Sequence, residues 1–455
     1  MAENNRKYDI VILGASGFTG KYVLREALKF LNTPSSPLKS LAIAGRDHKK
    51  LAQTLSWAST QTPTKTTPDI PIIIVDTGSG SSLAKMASEA RVVLNCVGPF
   101  RLHGEPVVRA CVDAGCDYLD ICGEPEFMER VEADYHDQAL EKGSLVICAC
   151  GFDSIPAELG LMFNSRQWVS PKEALNKVEA YLSLESDMKL VGNFGTYESA
   201  VLGIANAEEL IKWRKTRPRR PRPQIPGPPP QKGPTLEHQK GLGLWAVKLP
   251  SADAGVVRRT LSALTKNPSG LSGVNESTDH ITRREKFWAT VKPAHFGVKI
   301  ANKSLLATLR HITIGIFIGL LGTSSWGRSL LLKFPSIFTL GWFNRKGPNE
   351  AEVNSASFKM WFVGQGFSDK SSKAGLENRV PDTEIITRIM GPESGYIATP
   401  IILVQSALIT LSQRGNFPKG GVFPPGIVFG PTDLQERLQQ NGISFDFISR
   451  RSLSS

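Results

Sequence analysis

The first third of this 455-residue chain predicts a doubly wound α/β fold built on a parallel sheet. Three observations carry the prediction. Six apolar runs alternate with five helical periodicities up to residue 150. The runs are near-continuous in Val, Ile and Leu, as in strands buried on both faces. The first run climbs into three glycines where a helix begins.

The elements follow in order. "DIVILG" reads as a strand and "GKYVLREALKFL" as a helix. "SLAIAGR" and "DHKKLAQTL" repeat the step, then "IPIIIVD" with "SSLAKMASEA", and "RVVLNCV" with "GEPVVRACVDAG". "DYLDIC" and "SLVICAC" are the fifth and sixth strands, with the helix "PEFMERVEADYHDQALEKG" between them.

The glycines Gly14, Gly17 and Gly20 form G-A-S-G-F-T-G after the first strand. In this context Gly14 permits a tight turn, Gly17 lets the backbone approach a pyrophosphate, and Gly20 lets helix and strand pack closely. The helix start offers free N–H groups to the anion. Gly14, Ala15, Ser16, Gly17, Phe18, Thr19 and Gly20 are therefore candidate dinucleotide-binding residues. The second strand ends in Arg46 rather than an acid. Arg46 suits a 2′-phosphate, and so NADP, with NAD still possible; the alternative is a surface arginine beside Asp47. Asp76 either caps the next helix or touches adenine. "NCVGPF" leaves the fourth strand where the nicotinamide belongs, which selects Asn95, Val97, Gly98 and Pro99.

The length requires two domains or more. The net charge of +12 is unevenly spread. Residues 1–155 carry 16 Lys/Arg against 19 Asp/Glu, whereas residues 205–334 carry 22 against 7. The central excess points to an anionic membrane surface, a nucleic acid or plain solubility. The six cysteines, Cys96, Cys111, Cys116, Cys122, Cys148 and Cys150, cluster in one third of the chain and are read as reduced thiols. No CxxC pair or histidine cluster supports a metal.

"GASGFTG", "AGR", "NCVGPFRLHGEPVVRAC", "YLDICGE", "GFDSIP", "FGTYESA" and "GGVFPPG" together resemble the saccharopine dehydrogenase-like oxidoreductases, in order along nearly the whole chain. The bacterial trans-acting enoyl reductases look like relatives. The resemblance implies a Rossmann domain over 1–155, an inserted second α+β domain over 156–394, and a return to the first over 395–455. It also implies a nicotinamide cofactor. The Ala-Ser of the glycine loop and the basic, apolar insert depart from true saccharopine reductases, so the substrate is either an amino acid or lipid-derived.

Hydride transfer is carried by the cofactor, and the protein positions substrate and moves a proton. The candidates for proton transfer are His103, Asp120 and Tyr197. His103 reads equally as a helix-entry residue. Asp120 and Glu124 either orient a substrate amine or cap the helix beginning at Pro125. Asp153 and Ser154 suit a helix start whose amides can take a carboxylate. Tyr197, with Thr196, is a candidate donor in the second domain.

"TRPRRPRPQIPGPPPQKGP", within 214–234, reads as an extended, mobile, solvated loop, with too few aromatics for nucleic-acid stacking. "HITIGIFIGLLGTSSWG" is uncharged between Arg310 and Arg328, and "FPSIFTLGWF" follows. Segment 311–343 is too short and broken for a simple span. It is a buried core helix, an interfacial hairpin or a homodimer contact. Basic surroundings, Trp326 and Trp342 tip the reading to a membrane surface. The resemblance adds mitochondrial or lipid-droplet association. The start "MAENNRKYDI" leaves no room for a cleavable transit peptide. "TPIILVQSALITL" reads as a long buried helix, and "GISFDFI" as a last strand on the nucleotide domain. A dinucleotide-binding scaffold at a lipid surface is the alternative to an enzyme.

Overall fold

The structure is a computed structural model. It describes residues 6–61, 69–231, 233–248, 251–370, 376 and 379–453; residues 1–5 of the expected start and Lys232 of the Pro/Arg tract lie outside them. The chain divides into two compact units. The first comprises Met1–Ile155, Leu271–Ile281 and Gly395–Asn441, and the second Pro156–Gly270, Thr282–Ser394 and Gly442–Ser455.

The opening elements alternate as expected: β1 (Tyr8–Leu13), α1 (Phe18–Leu28), β2 (Leu41–Gly45), α2 (His48–Thr60), β3 (Ile72–Ile74), α3 (Gly80–Glu89), β4 (Ala90–Asn95), α4 (Phe100–Asp113), β5 (Asp117–Asp120), α5 (Pro125–Lys142) and β6 (Leu145–Ile147). Then follow α6 (Ile155–Ser165), β7 (Ala174–Ser186), β8 (Gly192–Asn193), α7 (Phe194–Ala205), α8 (Ala207–Lys215), β9 (Leu236–Gln239), β10 (Leu244–Lys248), α9 (Asp253–Lys266), α10 (Thr278–Thr290) and β11 (His295–Asn302). The rest is α11 (Leu305–Gly322), α12 (Ser325–Lys333), α13 (Pro335–Phe338), β12 (Phe343–Asn344), α14 (Glu350–Ser355), β13 (Ala356–Phe367), β14 (Thr383–Pro392), α15 (Thr399–Gln413), β15 (Gly421–Phe423), α16 (Pro425–Phe429), α17 (Leu434–Gln440) and β16 (Ser444–Ser452).

The first sheet runs β15-β6-β5-β4-β1-β2-β3, all parallel. The order reverses between β1 and β4, which puts the ligand crevice of such sheets at the ends of those two strands. Residues Ile10–Leu13 and Val92–Leu94 are essentially inaccessible, in keeping with strands covered on both faces. Helix α15 is buried from Thr399 through Leu411 and packs against α1 and α17.

The second sheet is mixed, in the order β16-β14-β13-β7-β11-β10-β9. Only β7 and β11 pair in parallel among its described ladders. The last strand differs from expectation. β16 pairs antiparallel with β14 in this second sheet, Phe445 opposite Ile389, rather than joining the nucleotide-type sheet. Residues 271–281, expected in the inserted domain, belong to the first unit. Both differences rest on pairings distant in sequence, which local pattern does not encode.

The stretch "GTYESAVLGIANAEELIKWRK", which has the pattern of a single helix, breaks at Asn206, whose Nδ2 donates back to the Leu202 carbonyl. The Pro/Arg tract has no regular structure, but its centre is pinned. Asn176 Nδ2 donates to the carbonyls of Pro226 (2.7 Å) and Pro228 (3.1 Å). Gly227, at φ +81°, lies against the Phe367 ring, where a Cβ would come within 2.6 Å. An extended mobile loop is therefore the wrong description of that centre.

Candidate functional site

The glycine turn is fixed by three separate demands. Gly14 has φ +81°, and its N–H donates to Ala44 O; a Cβ there would lie 2.7 Å from Val97 Cγ2. Gly17 donates to Gly14 O at 2.9 Å and forms the N-cap of α1. A Cβ at Gly20 would overlap the Gly14 carbonyl oxygen. No side chain caps α1. The first-turn amides, at Phe18, Thr19 and Gly20, therefore have no intrahelical acceptor and carry the positive end of the helix dipole. That arrangement suits a pyrophosphate.

Ala15 is buried in the turn, and Ser16 is half-buried. The Phe18 ring faces an aromatic cluster, 4.7 Å from Tyr396 and 5.8 Å from Tyr22, with Trp57 edge-on to Tyr22. The Lys21 ammonium lies 4.6–4.7 Å from the rings of Phe18, Tyr22 and Trp57. Sequence reasoning missed this anchor, because Tyr396 arrives from late in the chain.

Arg46 is exposed directly after β2. Asp47 accepts from Lys50 N at 3.1 Å and pairs with the Lys50 ammonium at 3.7 Å. Among the described residues no carboxylate pairs with Arg46. Asp76 does not cap α3; its Oδ1 accepts from Gly78 N at 2.8 Å, and Ser79 is the cap. Asp76 thus shapes the turn after β3.

The ends of β4, β5 and β6 share a buried polar chain. Asn95 Oδ1 accepts from Val97 N (2.9 Å), and its Nδ2 donates to Tyr118 Oη (3.0 Å). Tyr118 donates to Asp120 Oδ2 (2.9 Å). Asp120 Oδ1 accepts from Cys122 N (3.0 Å) and Ala149 N (2.7 Å). Burial pushes the Asp120 carboxyl up to about 6, although these donors favour its charged form. Burial also raises the half-buried Cys96 to about 12 and the buried Cys122 well above the usual thiol range, which favours the protonated thiol at both. None of the six cysteines is in a disulfide.

Asp120 is therefore engaged on both oxygens and inaccessible. It holds two loops together and does not reach outward as the sequence reading expected. His103 lies in the first turn of α4, its N–H donating to Pro99 O at 3.1 Å. Among the described residues no hydrogen bond joins it to Asp120. Gly98 is exposed beside the buried Pro99.

Glu124 departs most from expectation. It precedes Pro125 but makes no side-chain cap to α5. Its carboxylate instead accepts from Phe100 N (2.8 Å) and Arg101 N (2.9 Å), across the start of α4. No local pattern announces a residue that caps a different helix. Near α6, Phe152 N donates to Thr399 Oγ1 at 3.1 Å, and the amides of Ser154 and Ile155 donate to Gly151 O at 3.4 and 3.1 Å, so these amides are already engaged.

Tyr197 belongs to the second unit and is a core residue. It is buried with Val201, Ile314, Ile318 and Leu331 and stacks on Phe343 at 5.7 Å. Its hydroxyl has no partner among the described residues, and burial holds its pKa up at about 12. This apolar setting argues against the donor role expected of it. Among the described residues no cluster of acids, histidines and cysteines could hold a metal.

Comparison with known proteins agrees with this geometry. The family described as saccharopine dehydrogenase NADP binding domain matches residues 10–147. A probable mitochondrial saccharopine dehydrogenase-like oxidoreductase of Arabidopsis thaliana is 64% identical over 97% of this chain and 97% of its own. A lipid droplet localized protein of Caenorhabditis elegans is 31% identical over 98% of this chain and all of its own. The solved apo saccharopine dehydrogenase (L-Glu forming) of Saccharomyces cerevisiae shares the fold, with a TM-score of 0.52 at 11% identity over 98% and 100% of the two chains. The chain belongs to the saccharopine dehydrogenase-like oxidoreductases and carries their NADP-binding domain.

Proposed function

We propose that this protein is an NADPH-preferring oxidoreductase that lies on an anionic lipid surface and reduces or oxidises a lipid-derived substrate. The observation that carries the reading is an uncovered apolar face on α11, α12 and α13. Leu306, Leu320 and Trp326 are 77%, 72% and 70% exposed, and Ile316, Phe317, Ile337 and Leu340 are exposed beside them. Scattered exposed apolar residues need no explanation, but a contiguous set this size does. Residues 303–349 hold Lys303, Arg310, Arg328, Lys333, Arg345 and Lys346 and no acid. Lys303 pairs with Glu185 at 3.5 Å, and an apolar face in a segment whose own charges are all cationic fits anionic headgroups over acyl chains.

The face lies flat rather than spanning. The inner side of α11 packs against α7, β10 and β11, burying Thr308, Ile314, Ile318 and Gly322. Arg328 Nη1 donates to the carbonyls of Gly322 and Thr323, closing the end of the helix from within its own hairpin. The lipid-droplet name of the worm relative and the mitochondrial name of the plant relative support an organelle surface as the location.

In the first unit, the uncapped start of α1 would hold the pyrophosphate and Arg46 the 2′-phosphate, with Val97 and Gly98 bordering the nicotinamide and the buried Asn95 and Pro99 holding that loop from behind. The cofactor supplies the hydride. The chain's own residues bind and orient it, and Asp120 fixes the loops around it.

The test pairs binding with turnover. Arg46→Ala should weaken NADPH by about tenfold while leaving NADH unchanged, since a charge-assisted contact to phosphate is lost. NADPH oxidation should appear with keto- or enoyl-lipids in anionic vesicles. Binding without turnover across that panel would overturn the enzymatic reading in favour of a scaffold. A stable dimer in solution that covers Trp326 would replace the lipid face by a homodimer contact.

A further inference from the structure

We infer that Glu124 is a positioning residue for the nicotinamide half of the cofactor, acting through the loop between β4 and α4. The sheet order reverses between β1 and β4, and the loops leaving those strands border the crevice. They touch: a Cβ on Gly14 would meet Val97 Cγ2 at 2.7 Å and the Cys96 carbonyl carbon at 3.2 Å. The loop after β4 is held at both ends. Asn95 Oδ1 takes Val97 N at its start. Glu124 takes Phe100 N and Arg101 N at its end, one carboxylate oxygen to each.

The clamp comes from the neighbouring strand. Glu124 N donates to Cys122 Sγ at 3.2 Å, and Cys122 N donates to Asp120 Oδ1, so the clamp is tied to the end of β5. The Phe100 and Phe127 rings, one from the start of each helix, pack against each other with centroids 5.6 Å apart. An ordinary helix start takes a Ser, Asp or Asn from its own N-cap. Here the N-cap is Pro99, which makes no side-chain cap, and a buried carboxylate replaces it. Burying that charge is costly unless donors meet it, and two amides at the positive end of α4 do so. The local alternative would cap the helix without fixing the loop to β5. The remote carboxylate does both, so the place of residues 97–99 follows Glu124.

This is a positioning claim, and its test separates the two halves of the cofactor. The full chain and its Glu124→Ala and Glu124→Gln variants are titrated calorimetrically with NADPH and with 2′,5′-ADP, which lacks the nicotinamide. Glu124→Ala should weaken NADPH by about tenfold, as expected for loss of charge-assisted hydrogen bonds, and leave 2′,5′-ADP unchanged. Glu124→Gln, which keeps one acceptor, should fall between wild type and Ala. Equal weakening of both ligands would mean a general structural defect and would overturn the inference, as would no change in either. If Glu124→Ala does not fold, the Gln variant decides by the same criterion, a selective loss for NADPH.

Discussion

Helices α11 and α15 are almost equally apolar, and the fold treats them oppositely. Among the described residues these two lie in the helical stretches long and apolar enough to cross a membrane, with mean hydropathies of 1.7 and 1.5. Most of the α15 stretch is buried (83%), against 17% for α11. α15 is mostly apolar and is covered on every side from Thr399 to Leu411. α11 is apolar all round, but one face alone is covered. Hydropathy thus measures the demand for an apolar environment, and the neighbours decide whether protein or another phase meets it.

The largest effect should come from truncating each helix in turn. Leu408→Ala in α15 should cost about 2–5 kcal/mol in a urea unfolding curve, through lost burial and a cavity. Leu320→Ala in α11 should stay within about 0.5 kcal/mol of wild type. Comparable losses would erase the contrast. Next, replacing Leu306, Leu320 and Trp326 together by Ser should lower partitioning onto anionic vesicles by about 100-fold, with NADPH affinity unchanged. Unaltered flotation would show that α11 does not touch lipid.

A smaller change tests the rim. Lys333→Gln and Lys346→Gln should each weaken binding to phosphatidylserine vesicles by about 1 kcal/mol and leave phosphatidylcholine binding alone. Equal losses on both lipids would remove electrostatics from the account.

The smallest effect is in pH. His311 on α11 lies 4.8 Å from the Trp342 ring, and burial holds its pKa below the usual range despite the Ala307 carbonyl. The unfolded chain then binds the proton more readily, so stability should rise as pH climbs towards 6.5 and level off above it. His311→Phe should flatten that slope; an unchanged slope would place its origin elsewhere.

The first sheet was legible because each strand and helix declares itself locally, by runs of Val and Ile and by periodic helices. The glycine turn was legible for the same reason: its three constraints fall within seven residues. What was not legible depends on partners far along the chain. Glu124 looks like a cap for the helix it precedes, and only the folded loops reveal the helix it serves. Tyr197 looks reactive in a string of letters, but it is closed in by Ile314, Ile318 and Leu331, more than a hundred residues later. β16 reads as a generic strand, and its sheet is chosen by pairing with β14. The apolar character of 311–343 was evident, whereas its exposure needed the packing of α11 on α7.

The seventh strand of the first sheet has a consequence for synthesis. β15 pairs with β6, although about 270 residues separate them. At ribosomal rates of roughly 5–20 residues per second, β6 emerges up to about a minute before its partner. During that interval the nascent nucleotide-binding unit lacks both its edge strand and α15, the helix that covers α1. A bare strand edge and an uncovered apolar layer are the features that chaperones recognise. The order of assembly therefore leaves this unit's edge and apolar layer exposed until its last elements are made.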